Sequence, residues 1–457
     1  MPSVTLNRVE RGRYLDSVAL MRLSRRLGAA PGVEGAALMI GTPANKALLR
    51  DAGLLAADGE SAGANDIVIA VRASDEASAR RAVSSAFEFP SEKATTELSH
   101  ARSLAGALDR LPGANLALIS VPGDFAAAEA RRALHAGLNA LVFSSGVPLE
   151  EERALKLLAR EKGLLLMGPD CGTALIGGAP LAFANAVPRG EIGIVSASGT
   201  GLQEVACLIA RLGAGISHGI GVGGRDLDER VGALGTLAAI DALENDPSTR
   251  TIVLLSKPPA PRVAEQVLAR LAKSSKHRVV CFLGLDKPGL ARTLLEAAEM
   301  ATGQKLPEEK LDQKKVKGHV EALYCGGTLC SEAELIFRRR NLTGHRFLDL
   351  GDERFTRGRP HPMIDPEIRN EHLARASADA AVGVILVDVV LGYGSHADPA
   401  GVLLKVKTEK TVVASVIGTD NDPQVHSRQV AMLRAAGVLV APSNAHAAEW
   451  AAALVSY

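Results

Sequence analysis

Between Met167 and Leu227 three glycine-rich turns follow one another, each after an apolar run: Met167–Thr173, Gly190–Gly201 and His218–Leu227. The middle one constrains the fold most. Ile192-Gly193-Ile194-Val195 has the character of a strand buried on both faces. Ser196-Ala197-Ser198-Gly199-Thr200-Gly201 then turns the chain, and Leu202–Arg211 continues with helical spacing. Strand, small-residue turn and helix in that order belong to a parallel α/β layer. Such a turn leaves backbone N–H groups and hydroxyls at the positive end of a helix, which suits phosphate or carboxylate. Ser196, Ser198, Gly199, Thr200 and Gly201 are therefore candidate anion ligands.

Four further segments carry chemistry. At the second strand end, Gly221, Gly223 and Gly224 let the backbone approach a ligand. Arg225 adds a planar fork for phosphate or carboxylate, with Asp226 expected to orient it. Gly326-Gly327-Thr328, between Cys325 and Cys330 after a short strand, reads as another backbone cradle. Arg354–Asp365 gathers Arg354, Arg357, Arg359, His361 and Asp365 around Pro360 and Pro362 without any period. A substrate clamp and an interface loop both account for it, and the clamp is favoured. Gly392–Pro399 follows a strand at Val384–Asp388, so Gly394 and Ser395 are placed to close the same cleft. Arg225, Arg359 and His361 are the candidate catalytic residues. His218 and Cys171 read as packed structural residues, and no cysteine spacing predicts a metal site.

A chain of 457 residues divides into three or four domains. Aromatics make up only 3%, so small aliphatic side chains carry the packing, as where helices lie on parallel strands. A net charge of +1 predicts no nucleic-acid partner and no membrane partner. There is no signal-peptide pattern and no apolar run of membrane-spanning length. Five cysteines without a framework spacing point to reduced thiols and a cytoplasmic setting.

The expected fold class is multidomain α/β, with Rossmann-like and flavodoxin-like parallel sheets after an N-terminal ferredoxin-like α+β unit. Residues 1–98 form that unit, with strands at Arg13–Asp16, Val33–Ile40 and Ile67–Val71, helices Val18–Ala29, Ala44–Ala52 and Glu76–Ser85, and a loop at Gly59–Asn65. Residues 99–186 form the Rossmann-like domain. Residues 187–312 form a flavodoxin-type domain with strands Ile192–Val195, Ile216–Gly221, Thr251–Leu255 and Val279–Leu283, closed by a lysine-bearing linker. Residues 313–457 form a second such domain, with strands Ala322–Tyr324, Val384–Asp388, Val412–Val416 and Val438–Val440.

The order of motifs resembles the α subunit of succinyl-CoA synthetase over roughly residues 100–285. The stretches are Ala117–Phe125, His135–Leu138, Leu141–Pro148, Gly168–Thr173, Gly190–Thr200 and Gly219–Asp226. Residues from Val320 onward resemble, more weakly, the carboxy-terminal domain of the synthetase β subunit. The chain is most similar to the FdrA branch of that superfamily, which shares Cys325–Cys330 and Gly358–Pro366. The resemblance implies a carbamoyltransferase subunit of the oxamate carbamoyltransferase type in allantoin catabolism, taking oxalurate and phosphate to oxamate and carbamoyl phosphate. It implies carbamoyl phosphate, oxamate or oxalurate, or another carboxylate, as ligands, with companion subunits or a homo-oligomer. An acyl-CoA synthetase acting through an acyl phosphate, with CoA as cofactor, is the alternative. A regulatory subunit without chemistry is the third. Three departures from the synthetase pattern favour carbamoyl transfer. No Gly-rich CoA turn opens the match, Gly284–Leu290 has no histidine where the synthetases carry the phosphorylated one, and no segment looks like ATP-grasp.

Overall fold

The computed structural model describes residues 3–13, 15, 17–87, 101, 103–307, 309, 311, 313, 315–356 and 360–456. Two compact units result, Met1–Ala101 with Arg354–Pro360, and Arg102–Glu353 with His361–Tyr457.

In the first unit β1 (Val4–Glu10), β2 (Val33–Ile40) and β3 (Ile67–Ala73) form an antiparallel sheet in the order β1-β3-β2. The central β3 buries Ile67, Val68, Ile69, Ala70 and Val71 completely or nearly so. The helix Glu76–Ser85 starts where the Asp75 carboxylate accepts Ser78 N–H at 2.8 Å. The first strand is Val4–Glu10 rather than Arg13–Asp16. Asn7 hides it in the sequence, because this buried amide stands where an apolar residue would be expected. Its Nδ2 donates to Leu54 O and its Oδ1 accepts Ala56 N–H. Tyr14 and Asp16 lie outside the described residues. A short helix at Ala57–Glu60 overlaps the expected loop.

The second unit holds three sheets that matter here. β4 (Leu116–Ile119), β5 (Asn139–Val142) and β6 (Leu166–Met167) are parallel, joined through the helices Gly123–His135 and Leu149–Glu161. β7 (Thr173–Ile176) and β8 (Ala179–Ala182) form a hairpin. β9 (Arg189–Ser196), β10 (Ile216–Gly221), β11 (Thr251–Ser256) and β12 (His277–Phe282) run parallel, and the sheet order is β12-β11-β9-β10-β7-β8. The hairpin, expected on the far side of the boundary at residue 186, instead pairs antiparallel with β10 and covers that edge.

β13 (Val316–Lys317) precedes the last sheet, built from β14 (His319–Tyr324), β15 (Arg346–Asp349), β16 (Val382–Val390), β17 (Thr411–Ile417) and β18 (Leu439–Ala441), while β19 (Val455–Ser456) returns to pair with β13. Its order is β15-β14-β16-β17-β18, all parallel. All nine residues of β16 are buried, as a strand covered on both faces requires. β15 has no counterpart among the sequence-based strands, because four residues between two charges at a sheet edge leave little pattern.

Residues 187–312 and 313–457 were expected as separate domains, yet they share one hydrophobic cluster. Leu202, Val205 and Leu208 of the helix Gly199–Arg211 pack in it with Leu329, Ala333 and Ile336 of the helix Gly327–Arg339. Ala447, Ala448 and Ala451 supply the close approach. Both parallel sheets have the flavodoxin-like order, in which connections leave the first strand in opposite directions and open a crevice at its carboxyl end. In one sheet that crevice lies between β9 and β11, in the other between β14 and β16. Among the described residues no helix is long and apolar enough to cross a membrane.

Candidate functional site

The two crevices face each other through the starts of two helices. Ser198 caps the first by accepting Gly201 N–H at 3.0 Å. Ser196, fully buried, is used within the turn: its hydroxyl accepts Ser198 N–H and donates to Ser198 O. No described group accepts the N–H of Gly199 or Thr200. At the second helix the Asp388 carboxylate accepts Cys325 N–H at 2.7 Å and Gly326 N–H at 2.8 Å. The next N–H groups, of Gly327 and Thr328, have no such partner among the described residues.

The two starts are in contact. A β-carbon on Gly326 would lie 2.9 Å from Thr200 Oγ1, and one on Gly201 would lie 3.3 Å from Thr328 Cγ2. Two positive helix ends thus converge on one spot. The segments Ser196–Gly201 and Gly326–Thr328, expected as separate cradles, are thus in contact with each other.

Lys257, which follows β11, stands over it. Its ammonium would be 3.3 Å from a β-carbon on Gly327, and it makes no hydrogen bond or ion pair with any described residue. It also lines an open cleft of about 570 Å³ with Gly224, Arg225, Asp228, Arg230 and Ser256. Asp349 approaches from the end of β15, its Oδ2 2.2 Å from that same β-carbon position. The sequence analysis missed Lys257 and Asp349. Lys257 left a signal, being a lone charge at the carboxyl end of an apolar strand, the edge where ligands bind; Asp349 left none, because its four-residue strand has a charge at each end.

Asp388 was missed as a functional residue although it is a single carboxylate inside Val384–Val390. It is buried and paired with buried Arg369, whose guanidinium also donates to the Asp388 carbonyl and to Cys325 Sγ. Burial pushes the Asp388 carboxyl up to about 6, against the pull of Arg369 and the two backbone donors. Nothing in its helix marks Arg369 as buried from sequence alone.

Arg225 sits at the cleft, but Asp226 does not orient it. Arg225 Nη2 meets Glu152 Oε2 at 2.8 Å and donates to Val147 O. The fully buried Asp226 instead receives Lys156 Nζ at 2.6 Å and the N–H groups of Gly235 and Thr236 at the start of the helix Leu234–Asn245. The reason is geometric: a carboxylate beneath the turn meets the open helix end first. Gly223, with φ of +88°, passes close to Pro169 O, where any side chain would collide. Gly224 lies beside Asp170.

His361 reaches the same neighbourhood from the other side. Its Nε2 would be 2.6 Å from a β-carbon on Gly351, which itself abuts Asp349 and the Cys325 carbonyl. Nδ1 accepts Met363 N–H, so the ring is neutral with its proton on Nε2, and desolvation lowers its pKa to about 4. Phe183 links His361 to Gly394: the ring centroids of Phe183 and His361 are 6.2 Å apart, and a β-carbon on Gly394 would lie 2.8 Å from the Phe183 ring. Ser395 is buried, and its hydroxyl has no hydrogen-bond partner among the described residues. Arg359, with Arg357, lies outside the described residues.

His218 accepts Gly177 N–H through Nδ1 and faces Asp246 at 3.5 Å, part way along β10 and away from its carboxyl end. Cys171 is buried, its thiol directed at the carbonyls of Thr173 and Gly221, and burial pushes its pKa up to about 12. Burial likewise raises Cys325 and Cys330, so these thiols do not serve as nucleophiles. Among the described residues no group of three or more His, Cys, Asp or Glu could hold a metal ion.

Residues 323–454 match a family model described as CoA-ligase, and residues 3–103 match one described as AllF, heavy metal-associated domain. Residues 1–99 contain neither cysteine nor histidine. The chain is 28% identical over 213 residues to the alpha 2 subunit of the ADP-forming succinate–CoA ligase of Archaeoglobus fulgidus, spanning 45% of this chain and 71% of that one. Among solved structures, a dinucleotide-forming acetyl-coenzyme A synthetase 1 from Ca. Korarchaeum cryptofilum aligns with 17% identity over 74% of this chain and 82% of that one, at a TM-score of 0.31. With YahF of Escherichia coli K12 the chain shares 42% identity over 489 residues, 94% of its own length and 95% of YahF. It therefore belongs to the YahF family, which joins an AllF-type N-terminal domain to a CoA-ligase domain in one polypeptide.

Proposed function

We propose that this chain is a subunit of a carbamoyltransferase of the FdrA, oxamate carbamoyltransferase type, converting oxalurate and phosphate to oxamate and carbamoyl phosphate or the reverse. The observation that carries this reading is the junction of the two helix starts, with free N–H groups at Gly199, Thr200, Gly327 and Thr328 under the Lys257 ammonium. Fixed N–H donors and a cation hold a phosphate dianion and stabilise charge that develops on it as its oxygen bonds to a carbonyl carbon. The reaction needs no covalent enzyme intermediate, in keeping with the inert Cys171 thiol. Arg225, at the cleft, is the side chain proposed for the substrate carboxylate. Companion subunits complete the assembly in this reading, and a cytoplasmic setting suits its substrates.

The second reading, an acyl-CoA synthetase, is favoured by the CoA-ligase match over residues 323–454. In the three-stranded sheet the helix Gly123–His135 opens without a side-chain cap, and a β-carbon on Gly123 would collide with Ser145 O, so this turn requires glycine.

The test is conversion of oxalurate and radiolabelled phosphate to labelled carbamoyl phosphate by the full chain, with and without its companion subunits. Label in carbamoyl phosphate supports carbamoyl transfer. No label, but CoA-dependent thioester formation from a carboxylate and ATP, replaces it with the synthetase reading.

A further inference from the structure

One carboxylate at the cleft is not used by the reading above. Asp170 lies on the loop between β6 and β7, with φ of +56°, a left-handed backbone that only Gly, Asn and Asp adopt readily. The loop is pinned from beneath: Asp170 N–H donates to Ser144 O at 3.0 Å and Cys171 N–H to Val142 O at 3.1 Å. The Asp170 carboxylate itself makes no hydrogen bond or ion pair with any described residue; part of the residue reaches solvent, while desolvation still acts on its carboxyl. A non-glycine residue held left-handed, with its carboxylate presented and unused, is not explained by packing.

Its position relates it to the phosphate site. A β-carbon on Gly224 would lie 3.8 Å from Asp170 Oδ2 and 3.9 Å from the Ala197 carbonyl, so the carboxylate borders both the cleft and the turn that opens the helix Gly199–Arg211. The same loop continues to Thr173, whose hydroxyl lies 3.0 Å from a β-carbon position on Gly199. Four charged groups face Asp170 from other elements. Arg225 and Lys257 favour its ionised form, whereas Glu152 and Glu353 oppose it. The surrounding protein outweighs the two cations and holds the carboxyl above its ordinary range.

We propose that Asp170 is the proton-transfer group of this site, acting on the substrate nitrogen while the phosphate rests between the helix starts under Lys257. The proposal rests on the carbamoyl-transfer reading. In the direction of carbamoyl phosphate synthesis, an oxygen of hydrogen phosphate bonds to the ureido carbonyl carbon of oxalurate. The bond from that carbon to the oxamate nitrogen breaks, and its electron pair goes to nitrogen. Asp170, as the carboxylic acid, delivers a proton to this nitrogen, and the proton given up by hydrogen phosphate restores the acid. In reverse, the Asp170 carboxylate takes a proton from the oxamate amide as its nitrogen bonds to the carbonyl carbon of carbamoyl phosphate. A carboxyl whose pKa is raised keeps its acid form to higher pH than an ordinary aspartate does.

The variant Asp170→Asn keeps size and tolerance of the left-handed backbone. In the assembled enzyme it is expected to lower kcat by about 100-fold or more, with KM for phosphate unchanged and one limb of the pH–rate profile lost. The rise in melting temperature caused by inorganic phosphate should match that of the parent. A parent and an Asp170→Asn variant with equal kcat overturn the assignment and leave the carbamoyl reading standing. So does a variant that is slower but keeps the parent's pH profile, or one that no longer responds to phosphate. A parent that makes no carbamoyl phosphate overturns the carbamoyl reading and this assignment together.

Discussion

Thr200 and Gly326, more than a hundred residues apart in sequence, meet so closely that a β-carbon on Gly326 would sit 2.9 Å from the Thr200 hydroxyl oxygen. Leu329 Cδ1 lies equally near, so neither side can yield without moving a helix start. Gly326→Ala is therefore expected to destabilise the chain by about 1–3 kcal/mol and to abolish the rise in melting temperature given by inorganic phosphate. Urea unfolding with and without phosphate measures both. A variant whose phosphate response equals the parent's would separate the Gly326 turn from the anion site.

Arg369 and Asp388 form the buried pair beneath that turn. Arg369→Met leaves the carboxylate without its cation and is expected to cost roughly 3–5 kcal/mol. Replacing both, as Arg369→Met with Asp388→Asn, should recover part of the loss. A double variant less stable than the single one would mean that the pair is not the source of the effect, and chemical denaturation of the three chains decides.

Glu332 gives a pH dependence. It is buried, accepts Leu294 N–H at 2.6 Å and Asn444 Nδ2–H at 2.7 Å, and burial nonetheless raises its pKa to about 7, from 4.5 for the free side chain. The folded form holds this proton more tightly than the unfolded one. Stability from this group therefore falls as pH rises from 4.5 through 7, by roughly 3 kcal/mol in all, and stays lost above pH 7. Glu332→Gln should be less stable than the parent at pH 5 and should flatten the change between pH 5 and pH 8. Urea midpoints at the two pH values test this, and an unchanged slope would assign the titration elsewhere.

The five cysteines are all buried, and none is bonded to another. Native protein is expected to react with Ellman's reagent at a small fraction of the rate of the same protein in denaturant, and iodoacetamide at pH 8 should leave turnover intact. Rapid loss of activity with modification of Cys171 would contradict its assignment as an inert thiol.

The second and third parallel sheets were legible because their strands carry apolar runs, such as Ile252–Leu255 and Val384–Val387, and several end near glycine-rich turns. What escaped the sequence was structure carried by polar side chains in apolar surroundings. Asn7 disguised β1, and the short β15 disguised the strand that delivers Asp349. Of the site, the turns at Ser198–Gly201 and Gly326–Thr328 could be read, since backbone donors leave a compositional mark. That they are in contact could not, because it depends on two helix starts meeting across a shared core. Lys257 and Asp170 are single charged residues whose meaning comes from neighbours supplied by other strands.

That shared core has a consequence for how the protein behaves on dilution. Leu202 and Leu208 pack in the same cluster as Leu329 and Ile336, so both halves of the proposed phosphate site are parts of one folding unit on one polypeptide. The pairing of the helix starts is intramolecular and does not follow mass action. Phosphate affinity of the isolated chain should be the same at nanomolar and micromolar protein, whatever other subunits catalysis calls for.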